Sequence, residues 1–352
     1  QLLNTSWTVH RISPLHHEKE FPTLVANPRA LQIYASRLRD QLTGGVVAGL
    51  GPQAGAAILT GEDDSLSKTG ALRNCTWETL SSWSQLTDTV DSRSAQSATG
   101  ILVTLEYENI VYKAALLADP GRVGRVQEEE EESTSLPVLL TRLPNPLRQT
   151  FISFLSSNFD TYCSILRLPQ GFLCSVFERY FAVFTASDPR NMDQLGDAIR
   201  EMQLTLSFSN SIAPDLRSLN ISIPRGSLDS FLSASLSSRS SSEPDSAFLA
   251  NLSSYLHKHL AMDVDLGTRP GTVSKSAKQY VRLSRIACAA FVIGSEGRLK
   301  LVLPEKKTAS SDDSGDVEAE IRSEREKKVL RASVALLHAV IRRAAAGQRQ
   351  GP

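Results

Sequence analysis

The histidines near the N-terminus are the side chains of this chain best suited to acid–base or metal chemistry. His10, His16 and His17 lie close together in the sequence. A metal site would need further ligands at fitting spacing, and the nearby carboxylates, Glu18 and Glu20, are only sequence neighbours. We therefore interpret the cluster as structural, in a loop after a Ser-Pro pair, and keep an enzyme or metal site around it as one hypothesis.

The remaining sequence shows no nucleophile paired with a base and no cofactor cradle. His257 and His259 are two residues apart in a predicted helix, so their side chains point to different sides. They cannot form the i, i+4 pair of zinc-binding helices. The glycines from Gly49 to Gly55 are loosely spaced, and Pro52 disfavours a phosphate-cradling turn. The sequence predicts a protein that is not an enzyme and holds no metal or cofactor.

Cysteine spacing and composition narrow the class of protein. The four cysteines form no CxxC pair, which indicates buried reduced thiols rather than disulfides or a zinc site: Cys75, Cys163, Cys174 and Cys288. The chain has 352 residues and a formal net charge of zero, so no overall field draws it to nucleic acid or membrane. No apolar run approaches the length of a membrane-spanning helix.

Positive charge is concentrated in one segment of this neutral chain. Between residues 267 and 307, nine basic residues minus two acidic ones, Glu296 and Glu305, leave seven net positive charges. The nine are Arg269, Lys275, Lys278, Arg282, Arg285, Arg298, Lys300, Lys306 and Lys307. Such a segment can neutralise backbone phosphates, with an affinity that falls steeply as salt rises. The alternative is that these charges keep a sheet face soluble or protect an edge strand.

A β-hairpin is predicted to present this charge. Residues 279–293 alternate as one long strand, residues 294–297 form a turn, and residues 298–303 return. Arg298 and Lys300 share one face of the returning strand.

The first strand of this hairpin divides its arginines between its faces. Arg282 shares a face with Tyr280 and Ser284 because side chains alternate along a strand. Arg285 falls on the other face unless a β-bulge intervenes.

Two aromatic helices are predicted at the centre of the chain. In the first, Asn145 is suited to cap the helix and Pro146 to its first position. Large apolar residues recur at helical spacing in both: Leu147, Phe151, Phe154, Leu155 and Phe159, then Phe172, Val176, Phe177, Tyr180, Phe181 and Phe184. Such faces must be covered, most simply by a sheet.

The order of elements predicts an α+β fold with antiparallel sheets, because tight hairpins recur without βαβ units. We expect two antiparallel-sheet-containing halves joined by the aromatic helix pair. The divisions are residues 1–144 (N-terminal α+β half), 145–188 (helix pair), 189–304 (β-rich half facing partner and DNA), 305–319 (polar linker) and 320–352 (C-terminal helix). The acidic run 128–132 is predicted to be a solvated loop.

Several ordered blocks of sequence resemble the fungal centromere protein L family. The opening LLNTSWTVHRISPLHH at residues 2–17 looks like its N-terminal signature, and FISFLSSNFDTYCSILRL at residues 151–168 is similar to its central segment. The later blocks are LTLSF (204–208), LNISIP (219–224), YLHKHL (255–260) and EGRLK (296–300). Each block is mostly apolar patterning, so the resemblance rests on their number and order. Residues 128–132 and 306–316 match nothing in it.

The resemblance implies a non-enzymatic subunit of the inner kinetochore, in the constitutive centromere-associated network of the nucleus. Members pair with centromere protein N, and the pair forms a basic groove beside the centromeric nucleosome. From charge we assign DNA contact to Arg269, Lys275, Lys278, Arg282, Arg285, Arg298 and Lys300. Strand addition to a partner is assigned to Arg298, Leu299, Leu301, Val302 and Leu303. The same edge is compatible with a homodimer.

Three hypotheses follow. The first is a scaffold subunit that faces centromeric DNA. The second is an adaptor that binds only proteins, whose basic face meets acidic segments of other subunits. The third is the enzyme or metal site around the N-terminal histidines.

Overall fold

The computed structural model spans the whole chain and divides it into two compact units. The first unit comprises Trp7–Leu166 and Val340–Pro352, and the second unit comprises Gln1–Ser6 and Arg167–Ala339. The residues described are 2–17, 21, 23–25, 27–47, 69–80, 99–120, 133–185, 192–209, 215–224, 226–228, 230, 247–262, 264, 266, 281–303 and 316–348. Both units contain antiparallel strands and helices, which confirms the predicted α+β class.

The first unit is a six-stranded antiparallel sheet with two helices and a small two-stranded ladder. Its elements are β1 (Ser6–Ile12), β2 (Leu15–His16), α1 (Pro28–Val47), β3 (Leu72–Leu80), β4 (Gly100–Tyr107), β5 (Val111–Leu117), β6 (Ser133–Thr134), β7 (Val138–Arg142), α2 (Asn145–Phe159) and β8 (Cys163–Ile165). The sheet runs β8-β1-β7-β5-β4-β3, and β2 pairs with β6. The two apolar runs at residues 101–106 and 110–116 predict a β-hairpin, and the pairing of β4 with β5 confirms it.

An aromatic cluster forms the core of this unit. Tyr34 on α1 lies with its ring 4.5 Å from that of Phe159 on α2. Trp77 on β3 contacts the same helix, with ring centroids 6.3 Å from Phe151 and 6.1 Å from Phe154. Each such pair adds about 0.5–1.5 kcal/mol beyond the buried area. The aromatic face of α2 is thus covered by a sheet and a helix, as its spacing predicts.

The two helices of this unit differ from the sequence prediction at their ends. The glycine pair Gly44-Gly45 predicts the end of α1 from sequence, and this prediction is wrong because the helix continues to Val47. The predicted cap at Asn145 is also wrong: Pro144 occupies the N-cap position without a side-chain cap. The Asn145 Oδ1 instead accepts a hydrogen bond of 2.7 Å from the Arg148 guanidinium.

The second unit is a five-stranded antiparallel sheet with helices on its apolar side. Its elements are α3 (Gln170–Thr185), α4 (Met192–Ala198), β9 (Gln203–Phe208), β10 (Ser218–Ser222), α5 (Ala247–Leu260), β11 (Val281–Ala287), β12 (Phe291–Gly294), β13 (Arg298–Leu301) and α6 (Asp316–Gln348). The strands lie in the order β10-β9-β11-β12-β13. Helix α6 belongs to this unit as far as Ala339 and to the first unit from Val340.

The aromatic face of α3 packs on this sheet and on α5. Tyr180 lies 4.8 Å from Phe291 of β12, and Phe177 lies 5.3 Å from Phe248 of α5 (ring centroids). Leu206 and Leu283, on neighbouring strands, are buried on the same side of the sheet. The other side of the sheet is therefore left for polar residues.

The predicted single strand over residues 279–293 is wrong. Strand β11 ends at Ala287, and β12 begins at Phe291 and runs back antiparallel to it. Cys288 N–H donates to the Phe291 carbonyl across this turn at 2.8 Å. The basic segment therefore forms three strands, β11, β12 and β13, where the sequence predicted two.

Candidate nucleic-acid interface

The candidate interface is the polar face of the second unit's sheet, opposite the face packed by α3 and α5. Cross-strand partners in an antiparallel sheet project from the same face, so the register identifies its members. Arg282 pairs with Ser207, and Arg285 pairs both with Thr205 and with Gly294. The same face continues through Gly294 to Arg298.

A β-bulge places both arginines of β11 on this face. The register between β11 and β9 shifts between Leu283 and Arg285, which leaves Ser284 as the extra residue. Ser284 is held by two hydrogen bonds: its Oγ donates to the Thr205 carbonyl at 3.0 Å, and its own carbonyl accepts from Ser295 N–H at 2.7 Å. Without the bulge, the regular alternation of side chains along the strand would turn Arg285 toward the core. The extra residue turns Arg285 to the same face as Arg282.

Four basic side chains occupy this basic face: Arg282, Arg285, Arg298 and Lys300. The three arginines are exposed, and Lys300 is half-buried. Lys300 pairs with Val292 of β12, two pairs along from the Arg298 row and therefore on the same face. Gly294, which is buried, lies between Arg285 and Arg298 in the same cross-strand row. Within the described residues, no carboxylate lies within ion-pair distance of any of the four.

Hydroxyl and amide groups complete the basic face. Thr205 Oγ1 donates to Asn220 Oδ1 at 2.7 Å, and Ser207 stands beside Arg282 in the next row. The described rows of this face contain no Asp or Glu, so both the charges and the neutral donors suit an anionic backbone. Sequence reasoning missed these polar residues. The signal was present in the alternation of Gln203, Thr205 and Ser207 with buried leucines.

The other assigned basic residues cannot be located relative to this face. Arg269, Lys275 and Lys278 lie outside the described residues, as do Lys306, Lys307 and the acidic run 128–132.

The N-terminal segment of the same unit occupies the side of β13 that faces away from β12. Asn4 N–H donates to the Leu301 carbonyl at 2.7 Å, and the Asn4 side-chain Oδ1 accepts from Leu303 N–H at 2.9 Å. Leu299 and Leu301 are buried, whereas Arg298 is exposed and Val302 and Leu303 are half-buried. Two backbone groups that a partner strand would use at this edge are thus already bonded.

The three N-terminal histidines have different surroundings, and His10 and His17 bond to different partners. The His10 ring is buried with Nε2 3.1 Å from Thr141 Oγ1, and the buried His17 has Nε2 2.9 Å from Thr134 Oγ1. His16 is exposed on the short strand β2, where a loop was predicted. Across the part of the chain that is described, no three His, Cys, Asp or Glu residues are grouped to hold a metal ion.

The remaining candidates for chemistry lie apart. His257 and His259 are both exposed on α5. The four cysteines are free thiols, as expected from their spacing. Burial raises the pKa of Cys75 and of Cys163 to about 12 and that of Cys288 to about 11, so these thiols are protonated at neutral pH.

Comparison with known families decides the identity. The family model described as centromere protein L matches residues 1–345. The chain belongs to the centromere protein L family. It is therefore a centromere protein of a structural kinetochore family, as the ordered blocks of sequence suggested. The curated proteins contain no match to the chain. Among the described helices, none has the length and apolar character needed to cross a bilayer.

Proposed function

We propose that this member of the centromere protein L family is a non-enzymatic scaffold subunit of the inner kinetochore that pairs with centromere protein N and contacts centromeric DNA through the basic face. The complex would sit beside the centromeric nucleosome, in the constitutive centromere-associated network of the nucleus. The observation that supports this proposal is the grouping of Arg282, Arg285, Arg298 and Lys300 on one open sheet face with no carboxylate among the described rows.

Phosphate contact is the chemistry that such a face suits best. Guanidinium groups bind phosphate oxygens through two parallel hydrogen bonds, and Ser and Thr hydroxyls add neutral contacts. Contacts to phosphate carry no sequence information, so we expect binding that depends on salt and little on sequence. Arg269, Lys275 and Lys278 are proposed to add to the same contact.

The test replaces Arg282, Arg285, Arg298 and Lys300 together with alanine in the complex with centromere protein N. Each lost phosphate contact reduces the steepness of the plot of log binding constant against log salt concentration (the salt slope) by about 0.9, so the loss of four contacts reduces it by about 3.6. We expect a shallower slope and weaker binding at low salt, measured by fluorescence anisotropy with a labelled duplex.

A second variant separates the basic face from net charge. Alanine at four other exposed arginines, Arg29, Arg142, Arg342 and Arg343, removes the same formal charge. This control should keep the wild-type salt slope. Equal DNA binding by wild type and the basic-face variant would refute the DNA contact. If that variant instead lost binding to polyglutamate while DNA binding stayed intact, the face would belong to a protein-binding adaptor.

A further inference from the structure

A groove in the first unit runs between α1 and the edge of β3. It encloses a cavity of about 540 Å³. The helix lines it with one face: Pro28, Leu31, Gln32, Ala35, Ser36 and Arg39. The strand lines it with every residue from 74 to 79. Because consecutive strand residues alternate between sheet faces, a cavity lined by all of them follows the strand's edge and not one of its faces.

The outer edge of β3 has its backbone groups turned toward this groove. Among the described strands, β3 is the last of the first unit's sheet. Tyr107 N–H donates to the Ile110 carbonyl where β4 turns into β5, so the odd-numbered residues of β4 bond with β5. The even-numbered residues must then bond with β3, and Glu108 N–H does donate to the Ala71 carbonyl on that side.

This alternation fixes which groups of β3 point outward. The partners of the even-numbered β4 residues are Asn74, Thr76 and Glu78. The N–H and C=O groups that project from the opposite edge are therefore those of Cys75, Trp77 and Thr79. Outward groups spaced every second residue are the arrangement to which an added strand bonds.

The dimensions of the groove suit an extended segment. The lined part of β3, residues 74–79, is about 20 Å long at about 3.3 Å per residue. The lining face of α1, from Pro28 to Arg39, spans a similar length of about 17 Å at 1.5 Å per residue. Buried Leu31, Ala35 and Trp77 form its floor, which accepts every second side chain of an added strand.

The charges around the groove favour an acidic occupant. The charged residues that line the groove are Arg39 and Glu78. Glu78 alternates with the buried Trp77 and so lies on the sheet face away from α1, which leaves Arg39 as the lining charge on the helix side. Arg39 lines the groove with its side chain 52% exposed. The Arg39 Nε lies 3.8 Å from Asp40 Oδ1, and both side chains are exposed. Such a surface pair is weak, so Arg39 can still bind another carboxylate.

From these observations we infer that the α1–β3 groove binds an extended, acidic segment of a partner protein by strand addition to β3. The proposal concerns the first unit and does not rest on the DNA contact proposed for the second. Cys75 plays no covalent part because burial raises its pKa to about 12.

The probe is the capped peptide Asp-Val-Thr-Val-Glu-Val-Asp, labelled for anisotropy and titrated with the full chain. Two further forms carry N-methyl groups on alternate residues, one form on the even positions and the other on the odd positions. Strand addition requires that only one of these forms loses binding, because only alternate N–H groups face β3. No binding of the parent peptide at millimolar chain concentration, or equal binding of both methylated forms, overturns the proposal.

Two variants place the peptide in this groove. Arg39→Glu should weaken binding of the parent peptide roughly three- to tenfold through charge reversal. A peptide with lysine in place of its Asp and Glu residues should regain affinity for this variant. Ser36→Trp fills the groove from an exposed position and should abolish binding. The matched control, Arg29→Glu, lies on the same helix outside the lining and should leave the affinity within about twofold. Wild-type affinity in both Arg39→Glu and Ser36→Trp would place the peptide elsewhere and refute the assignment.

Discussion

At the scale of single residues, His10 is the side chain whose burial most directly controls stability. Thr141 Oγ1 donates to the Thr8 carbonyl at 3.5 Å, so its lone pair accepts from His10 Nε2–H at 3.1 Å. His10 Nδ1 is buried and has no partner among the described residues. Burial, with a smaller contribution from the Arg148 charge, lowers the His10 pKa from 6.5 to about 4. A proton on Nδ1 would be a buried donor without an acceptor.

The lowered pKa predicts acid sensitivity of the folded state. The unfolded chain takes up a proton near pH 6.5 and the folded chain only near pH 4, so stability is complete above pH 6.5 and falls below it. Between pH 6.5 and about pH 5 the loss from this group is about 2 kcal/mol. Urea unfolding across this range should show the loss in wild type and a smaller loss in His10→Gln. His16→Gln, at an exposed site, should follow wild type. Equal pH dependence in all three proteins would contradict the prediction.

Sequence patterns were least informative where single-residue register mattered. Alternation alone put Arg285 on the opposite face from Arg282, and only the bulge at Ser284 brings them together. A bulge depends on pairing with β9, which is distant in sequence, so the strand itself carries no sign of it. Asn145 is a favourable N-cap residue by type, yet Pro144 occupies the N-cap position of α2. The Asn145 side-chain oxygen accepts a hydrogen bond from Arg148 instead.

At the scale of elements, two glycines should respond oppositely to the same substitution. A Cβ on Gly100 of β4 would collide with the Leu116 carbonyl of β5, and rigid ladder backbone cannot move aside. Gly100→Ala should therefore destabilise the protein by about 1–3 kcal/mol or more. Gly44 lies in α1, and a Cβ added there would have no atom within 4 Å, so Gly44→Ala should raise the free energy of unfolding by up to about 1 kcal/mol. Denaturant unfolding of both variants tests the pair, and a loss at Gly44 or neutrality at Gly100 would contradict it.

Elements with strong periodicity were predictable, and tertiary arrangements were not. The aromatic spacing of α2 and α3 and the alternation of β9 and β10 identified those elements correctly. The turn between β11 and β12 was missed because Cys288, Ala289 and Ala290 include none of the residues that usually mark turns. The α1–β3 groove was missed for another reason: which strand ends the sheet depends on long-range pairing, which the sequence of a single element does not show.

At the scale of the whole molecule, the proposed DNA contact depends on how a neutral chain distributes its charge. The formal net charge is zero, so no long-range field attracts DNA, and any affinity must come from a local group of bases. The basic face supplies such a group through strands that are separated in sequence. Segment composition located the basic segment, and the fold determines which of its charges lie together on one face.

Partner binding at the β13 edge gives the last prediction, because the N-terminal segment already bonds there. If centromere protein N adds a strand along residues 298–303, it must displace Asn4, which holds Leu301 and Leu303 from an unusual backbone φ of +59°. Asn4→Ala removes the Oδ1 acceptor and disfavours that φ, since left-handed backbone costs alanine about 1 kcal/mol or more. Affinity for the partner should then rise, roughly three- to tenfold for a released hydrogen bond and that strain. Asn4→Asp keeps an acceptor and tolerates the φ, so it should match wild type by isothermal titration calorimetry. Unchanged affinity in Asn4→Ala would place the partner's contact away from β13, for instance at β10, which is a terminal strand of the described order.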